Sequence, residues 1–109
     1  MKQLIDRIHK QAIEKGFYED VNQKYFISHQ LLETTKEVAE ASEAHKNGKI
    51  GLDKIELTSE NKDFLEFELA DVVIRCMDLS VHLGFDLEAV INAKLDFNKT
   101  RPKLHGKEY

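Results

Sequence analysis

Apolar residues recur at three- and four-residue intervals along most of this chain, and glycines rather than alternating strands divide the runs. Leu4, Ile5, Ile8, Ala12 and Ile13 set a first helix from Lys2 to about Lys15, with Gly16 placed to end it. Phe26, Leu31, Val38 and Ala41 belong to a second, from about Asn22 to Lys46, that stops at Asn47-Gly48. Gly48 to Lys62 shows no sustained period and reads as a loop with one turn of helix at most, the most mobile element of the chain. Asp63 followed by Glu66 has the spacing of a capping box for a third helix ending at Gly84. Asp86 then caps a fourth, which runs through about Asn98 before Pro102. No stretch alternates strictly between apolar and polar. The fold class is therefore all-α, with four helices in one domain spanning residues 1–109.

The lone Cys76 sits in the apolar run VVIRCMDL, which rules out a disulfide framework or a cysteine-based metal site and fits a reducing compartment. The N-terminus is charged throughout, and no segment approaches the ~20 apolar residues of a membrane span, so a cytoplasmic protein without membrane partners is expected. Net charge is −4, unevenly placed: five Lys and Arg against two acids from Lys94 onward give a local +3 and leave −7 on the rest. An acidic body with a basic tail argues against nucleic acid, which requires a broad basic face, and suits a small polyanion held between a metal and the tail.

Acids recur at i and i+3 in two places: Glu37, Glu40 and Glu43 on the second helix, Glu68 and Asp71 on the third. That spacing puts neighbouring carboxylates on one helix face. Two such faces turned together would concentrate negative charge until a hard cation offset it, and Mg²⁺, with its preference for oxygen ligands, is the leading candidate. On the third helix Glu68, Asp71, Arg75, Asp78 and His82 fall in a stripe roughly 80° wide at 100° per residue. The stripe is either the solvated edge of a mostly buried helix or the lining of an acidic cleft in which Arg75 holds a carboxylate. Lys94, Asn98 and Arg101 recur at i, i+4 and i+7, where two cations and an amide would grip outer phosphates. Each pattern also has a plain interpretation, as a solvated acidic face or as cations complementing a helix C-terminus. His9, His29, His45, His82 and His105 show no HExxH spacing, there is no pair of Glu-x-x-His motifs for a di-iron bundle, and no GxxxxGK[ST] loop.

The order ExxExxE, spacer, ExxD, terminal KxxxN resembles the MazG-like all-α nucleoside triphosphate pyrophosphohydrolases. The family's EExxE block falls on Lys36-Glu37-Val38-Ala39-Glu40 and its ExxD block on Glu68-Leu69-Ala70-Asp71. AKLDFNKTRPKLHGKEY is similar to the C-terminal segment of small phage and bacterial members, and HKQAIEKGF to their opening helix, so the resemblance covers nearly the whole chain. It implies a helical bundle assembled as a homodimer or homotetramer, and a substrate that is a ribo- or deoxynucleoside triphosphate, hydrolysed to the monophosphate and pyrophosphate in nucleotide-pool housecleaning. It implies Mg²⁺, with Mn²⁺ as a substitute, on Glu37, Glu40, Glu68 and Asp71, and substrate contacts from Lys94 and Asn98. The family's first Glu is Lys36 here, and Glu43 is the acid available for that missing role, as an outer acid or water-orienting base. Assembly also follows from size, since so short a chain leaves apolar area uncovered on the third helix. A base would stack on Phe17, Tyr25 or Phe26, which are equally well ordinary core aromatics. Two other readings are a non-catalytic helical dimer that binds a nucleotide or protein partner, kept open by Lys36, and phosphoribosyl-ATP pyrophosphohydrolase, whose match to the tail is poorer.

Overall fold

The computed structural model describes residues 1–103, and within them the chain forms four α-helices and no strand. These are α1 (Lys2–Glu14), α2 (Phe26–Lys46), α3 (Leu65–Leu83) and α4 (Leu87–Lys99). His105 and the end of the basic tail lie outside the described residues. No helix among the described residues is long and apolar enough to cross a membrane.

The glycines end three helices by the same device. Gly16, Gly48 and Gly84 have φ of 85°, 71° and 80°, the left-handed conformation that L side chains resist. At each, the following amide reaches back to close a six-residue turn: Phe17 to the Ala12 carbonyl, Lys49 to Ala44 and Phe85 to Ser80, at 3.0, 2.9 and 3.1 Å. Asp86 caps α4 as expected, its carboxylate accepting from the Ala89 amide at 3.1 Å.

Two local expectations are corrected. Helix α2 begins at Phe26 rather than Asn22, because residues 17–25 make a succession of turns closed by bonds from Glu19 to Gly16, Val21 to Tyr18 and Gln23 to Asp20. That path carries the Tyr18 ring onto His9, Phe26 and His82, with centroids 5.0–5.5 Å apart. The capping box at the start of α3 does not form either. Phe64 is the N-cap and no side chain caps it. Asp63 pairs with Lys49 instead, and Glu66 accepts the Gly51 and Leu52 amides at 2.8 and 2.7 Å. The long connection between α2 and α3 carries backbone donors with no helix or strand to satisfy them, and Glu66 answers that demand at Gly51 and Leu52. Thr58 and Asn61 exchange two further bonds inside the connection, which contains no regular helix.

Helix α3 is central, with α1 and α2 packed against it. Ile5, Ala12, Phe26, Ala41, Ala44, Met77 and Leu79 form the apolar core. The orientation of α3 overturns the solvated-edge interpretation of its polar stripe. Asp78 is 8% exposed and Glu68, Arg75 and His82 are half-buried, whereas Leu69 and Val73 on the other side are 52% and 49% exposed. Most of the polar stripe therefore faces the neighbouring helices, with Asp71 left exposed, while the first half of the opposite side faces out. Helix α4 has no buried residue among those described, and its Val90, Leu95 and Phe97 stand half-exposed.

Candidate metal centre

Because the polar stripe of α3 faces α2, the two acidic motifs meet. One oxygen each from Glu37, Glu40 and Glu68 lies within 4.8 Å of the others. Glu37 and Glu68 are half-buried and Glu40 exposed, so the group opens to solvent on one side. Oε2 of Glu68 is shielded from solvent and has no hydrogen-bond partner. Burial raises the Glu68 carboxyl above the ordinary glutamate range, and the charges of Glu40, Asp71 and Glu37 add to it. Asp71 is raised as well, first by burial and then by Glu37, against the opposing pull of Arg75. Asp71 thus feels the cluster without belonging to its tightest trio.

One cation enters this group directly. Arg75 donates from Nε to Glu37 Oε1 at 3.0 Å and lies 3.9 Å from Glu33 Oε2, which Lys36 also approaches at 3.9 Å. The lysine standing where the resembled family has its first Glu therefore turns to Glu33. Arg75 holds a carboxylate, as expected for a cleft lining, but that carboxylate is Glu37 on the neighbouring helix.

Two cavities border the acids. One, of about 180 Å³, is lined by Glu40, Glu43, Glu68, Asn47, Lys49 and Asp63. Glu43 reaches it while accepting from Asn47 Nδ2 at 3.2 Å. The other, of about 370 Å³, lies between α1 and α3 and combines Glu37, Asp71, Arg75 and Asp78 with Ile8, Phe17 and Ile74. Phe17 lies under the Arg75 guanidinium at 5.9 Å. Phe17, Tyr25 and Phe26 share a third cavity of about 480 Å³. Phe26 is buried against Tyr18 and His82, the packing of a core aromatic, whereas Phe17 and Tyr25 present half or more of their surface.

Lys94, Asn98 and Arg101 line neither cavity that borders the acids. Lys94 and Arg101 approach the Phe97 ring, at 5.3 and 5.8 Å, and Asn98 Oδ1 is shielded without a hydrogen-bond partner. Sequence reasoning passed over Lys49, whose signal was its place directly after the Asn47-Gly48 stop, where the chain turns back towards the acids. It also missed the link between His9 and Asp78. His9 Nδ1 and Asp78 Oδ1 are 2.7 Å apart in a largely buried contact, and the Tyr18 hydroxyl donates to the Asp78 carbonyl at 3.4 Å. Burial, followed by hydrogen bonding to Asp78 and its charge, pushes the Tyr18 phenol above its ordinary range.

An all-oxygen donor set of three carboxylates from two helices, one with an orphaned buried oxygen, fits a small hard divalent cation better than a borderline metal that favours nitrogen or sulfur. No family model, curated protein or solved structure matches the chain.

Proposed function

We propose that this chain is a MazG-like, Mg²⁺-dependent nucleoside triphosphate pyrophosphohydrolase of the cytoplasm, working as a homodimer or homotetramer. The observation that carries the proposal is the meeting of Glu37 and Glu40 from α2 with Glu68 from α3. Glu37, Glu40 and Glu68 hold the ion, with Asp71 beside them. A bound Mg²⁺ would offset charge on the phosphates and on the departing pyrophosphate, and make a bound water a better nucleophile. Glu43, on the same cavity as Glu40 and Glu68, serves as the water-orienting base. The nucleoside is held in the apolar-walled cavity between α1 and α3, beside Phe17. Oligomerisation covers the outward Leu69 and Val73 of α3 and the half-exposed apolar residues of α4. A neighbouring subunit's α4 is then the route by which Lys94, Asn98 and Arg101 come to touch phosphate.

The test is pyrophosphate release from a panel of canonical and modified ribo- and deoxynucleoside triphosphates, with Mg²⁺ or EDTA, beside Glu40→Gln. Mg²⁺-dependent release that disappears in a folded Glu40→Gln variant is the expected outcome. A non-catalytic nucleotide-binding dimer is the second reading, favoured by the Arg75–Glu37 bond, which already neutralises one carboxylate of the trio. Silence across the panel from folded, oligomeric protein that still binds nucleotide would select it.

A further inference from the structure

Lys49 is one of the points at which the two carboxylate-bearing helices are tied to each other. Its amide donates to the Ala44 carbonyl at 2.9 Å and its carbonyl accepts from the Leu65 amide at 2.7 Å, so its main chain is clamped between the end of α2 and the start of α3. Its ammonium is paired with Asp63, and both line the cavity walled by Glu40, Glu43 and Glu68. Glu68 lines the same cavity.

A cation held by the trio does not complete the charge balance for a polyphosphate, whose outer oxygens need donors from the protein. The basic residues of α4 do not line this cavity, whereas Lys49 does. Its present partner is easily given up: the side chains of Lys49 and Asp63 are 45% and 47% exposed, and pairs open to water to that degree contribute little net stability. The main-chain clamp fixes the base of the side chain, and the ammonium can then exchange a carboxylate for a phosphate without moving the backbone.

We propose that Lys49 grips the outer phosphates of a metal-bound di- or triphosphate in the Glu40–Glu43–Glu68 cavity, leaving Asp63 as the ligand enters. The proposal rests on the hydrolase reading for its ligand class, and its test is chosen to be independent of turnover. Titration calorimetry with inorganic pyrophosphate and Mg²⁺ should show binding weakened about 10- to 100-fold in Lys49→Ala, the range for losing one charge-assisted hydrogen bond. Mn²⁺ binding without pyrophosphate should stay within about twofold of wild type. Asp63→Asn, which removes the competing acceptor, should tighten pyrophosphate binding, an effect that a purely structural ion pair would not give. Equal pyrophosphate affinity in wild type and folded Lys49→Ala overturns the proposal, as does weakening by Asp63→Asn or a wild type that binds no pyrophosphate. Binding through Lys49 with no triphosphate hydrolysed would leave this inference standing and overturn the hydrolase reading. Turnover indifferent to Lys49→Ala would do the reverse.

Discussion

Replacing Glu68 by Gln should make the metal-free protein more stable and remove its response to Mg²⁺. The carboxylate oxygens of Glu37, Glu40 and Glu68 lie within 4.8 Å of one another. Two unit charges at that distance repel by about 0.9 kcal/mol in bulk water and about 3.5 kcal/mol at an effective dielectric constant near 20. Glu68 faces two such neighbours, but Glu40 is exposed and Arg75 offsets Glu37, which places the net relief near the lower limit, about 1–2 kcal/mol. An amide at position 68 also supplies a donor to the carboxylates around it. For a domain of this size that relief raises Tm by about 5–15 °C. In wild type, Mg²⁺ at about 100 times its Kd adds about 2.7 kcal/mol, an increment the variant should lack. The assay is thermal unfolding followed by circular dichroism, in EDTA and in Mg²⁺, at one protein concentration, since the proposed assembly would make Tm concentration-dependent.

The same comparison has a pH signature. The Glu68 and Asp71 carboxyls are raised in the folded chain, so between the ordinary carboxylate range and the raised values the folded state holds more protons than the unfolded one. Stability therefore falls as pH rises through that window. The advantage of Glu68→Gln should be largest above the window and shrink as pH falls towards the ordinary glutamate value of 4.5, where wild-type Glu68 neutralises itself. A variant no more stable than wild type at pH 7 in EDTA, or one stabilised equally by Mg²⁺, would refute the argument.

Asp78→Ala leaves His9 without its buried partner and should cost about 1–3 kcal/mol, read as a Tm lower by about 5–20 °C; an unchanged melt would remove the α1–α3 link from the account. Glu66→Ala frees the Gly51 and Leu52 amides and should speed hydrogen exchange at both while helix content is preserved. Those backbone bonds hold the Glu66 carboxyl below its ordinary range, so their contribution is present at neutral pH and is lost only as pH falls through that lowered value; exchange rates equal to wild type would contradict the anchor. Val73→Glu puts a charge on the outward apolar side of α3 and should shift the mass measured by light scattering towards that of one chain. An unchanged mass would locate the interface elsewhere.

Helix number and order could be read from the apolar period and from Gly16, Gly48 and Gly84, because a left-handed stop is a local requirement of the backbone. The pairing of ExxE with ExxD was legible as spacing. What a period cannot say is which side of a helix turns inward when both sides carry functional residues. The stripe of Glu68, Asp71, Arg75, Asp78 and His82 looks like a solvated edge by composition, and only the placement of Glu37 and His9 opposite it reverses that assignment. Asp63 and Glu66 matched a capping box for a similar reason: the motif counts local donors, whereas the acids went to donors 14 to 15 residues earlier, at Lys49, Gly51 and Leu52. Lys94, Asn98 and Arg101 are regularly spaced on or just beyond α4, but spacing along one helix carries no information about which cavity that helix adjoins.

The inward Asp78 and Arg75 and the outward Leu69 and Val73 of α3 are two consequences of one choice. A lone chain that optimised burial would turn Leu69 and Val73 towards α1 and α2 and leave the acids in water, since carboxylates brought together inside a protein cost more than they return. The observed orientation is held by Met77 and Leu79 in the core and by the Arg75–Glu37 and His9–Asp78 contacts. It leaves a charge deficit on one side of α3 and uncovered apolar surface on the other. A bound divalent cation would remove the first, and a second copy of the chain would cover the second. The metal and the assembly proposed for this protein would thus answer opposite sides of the same helix.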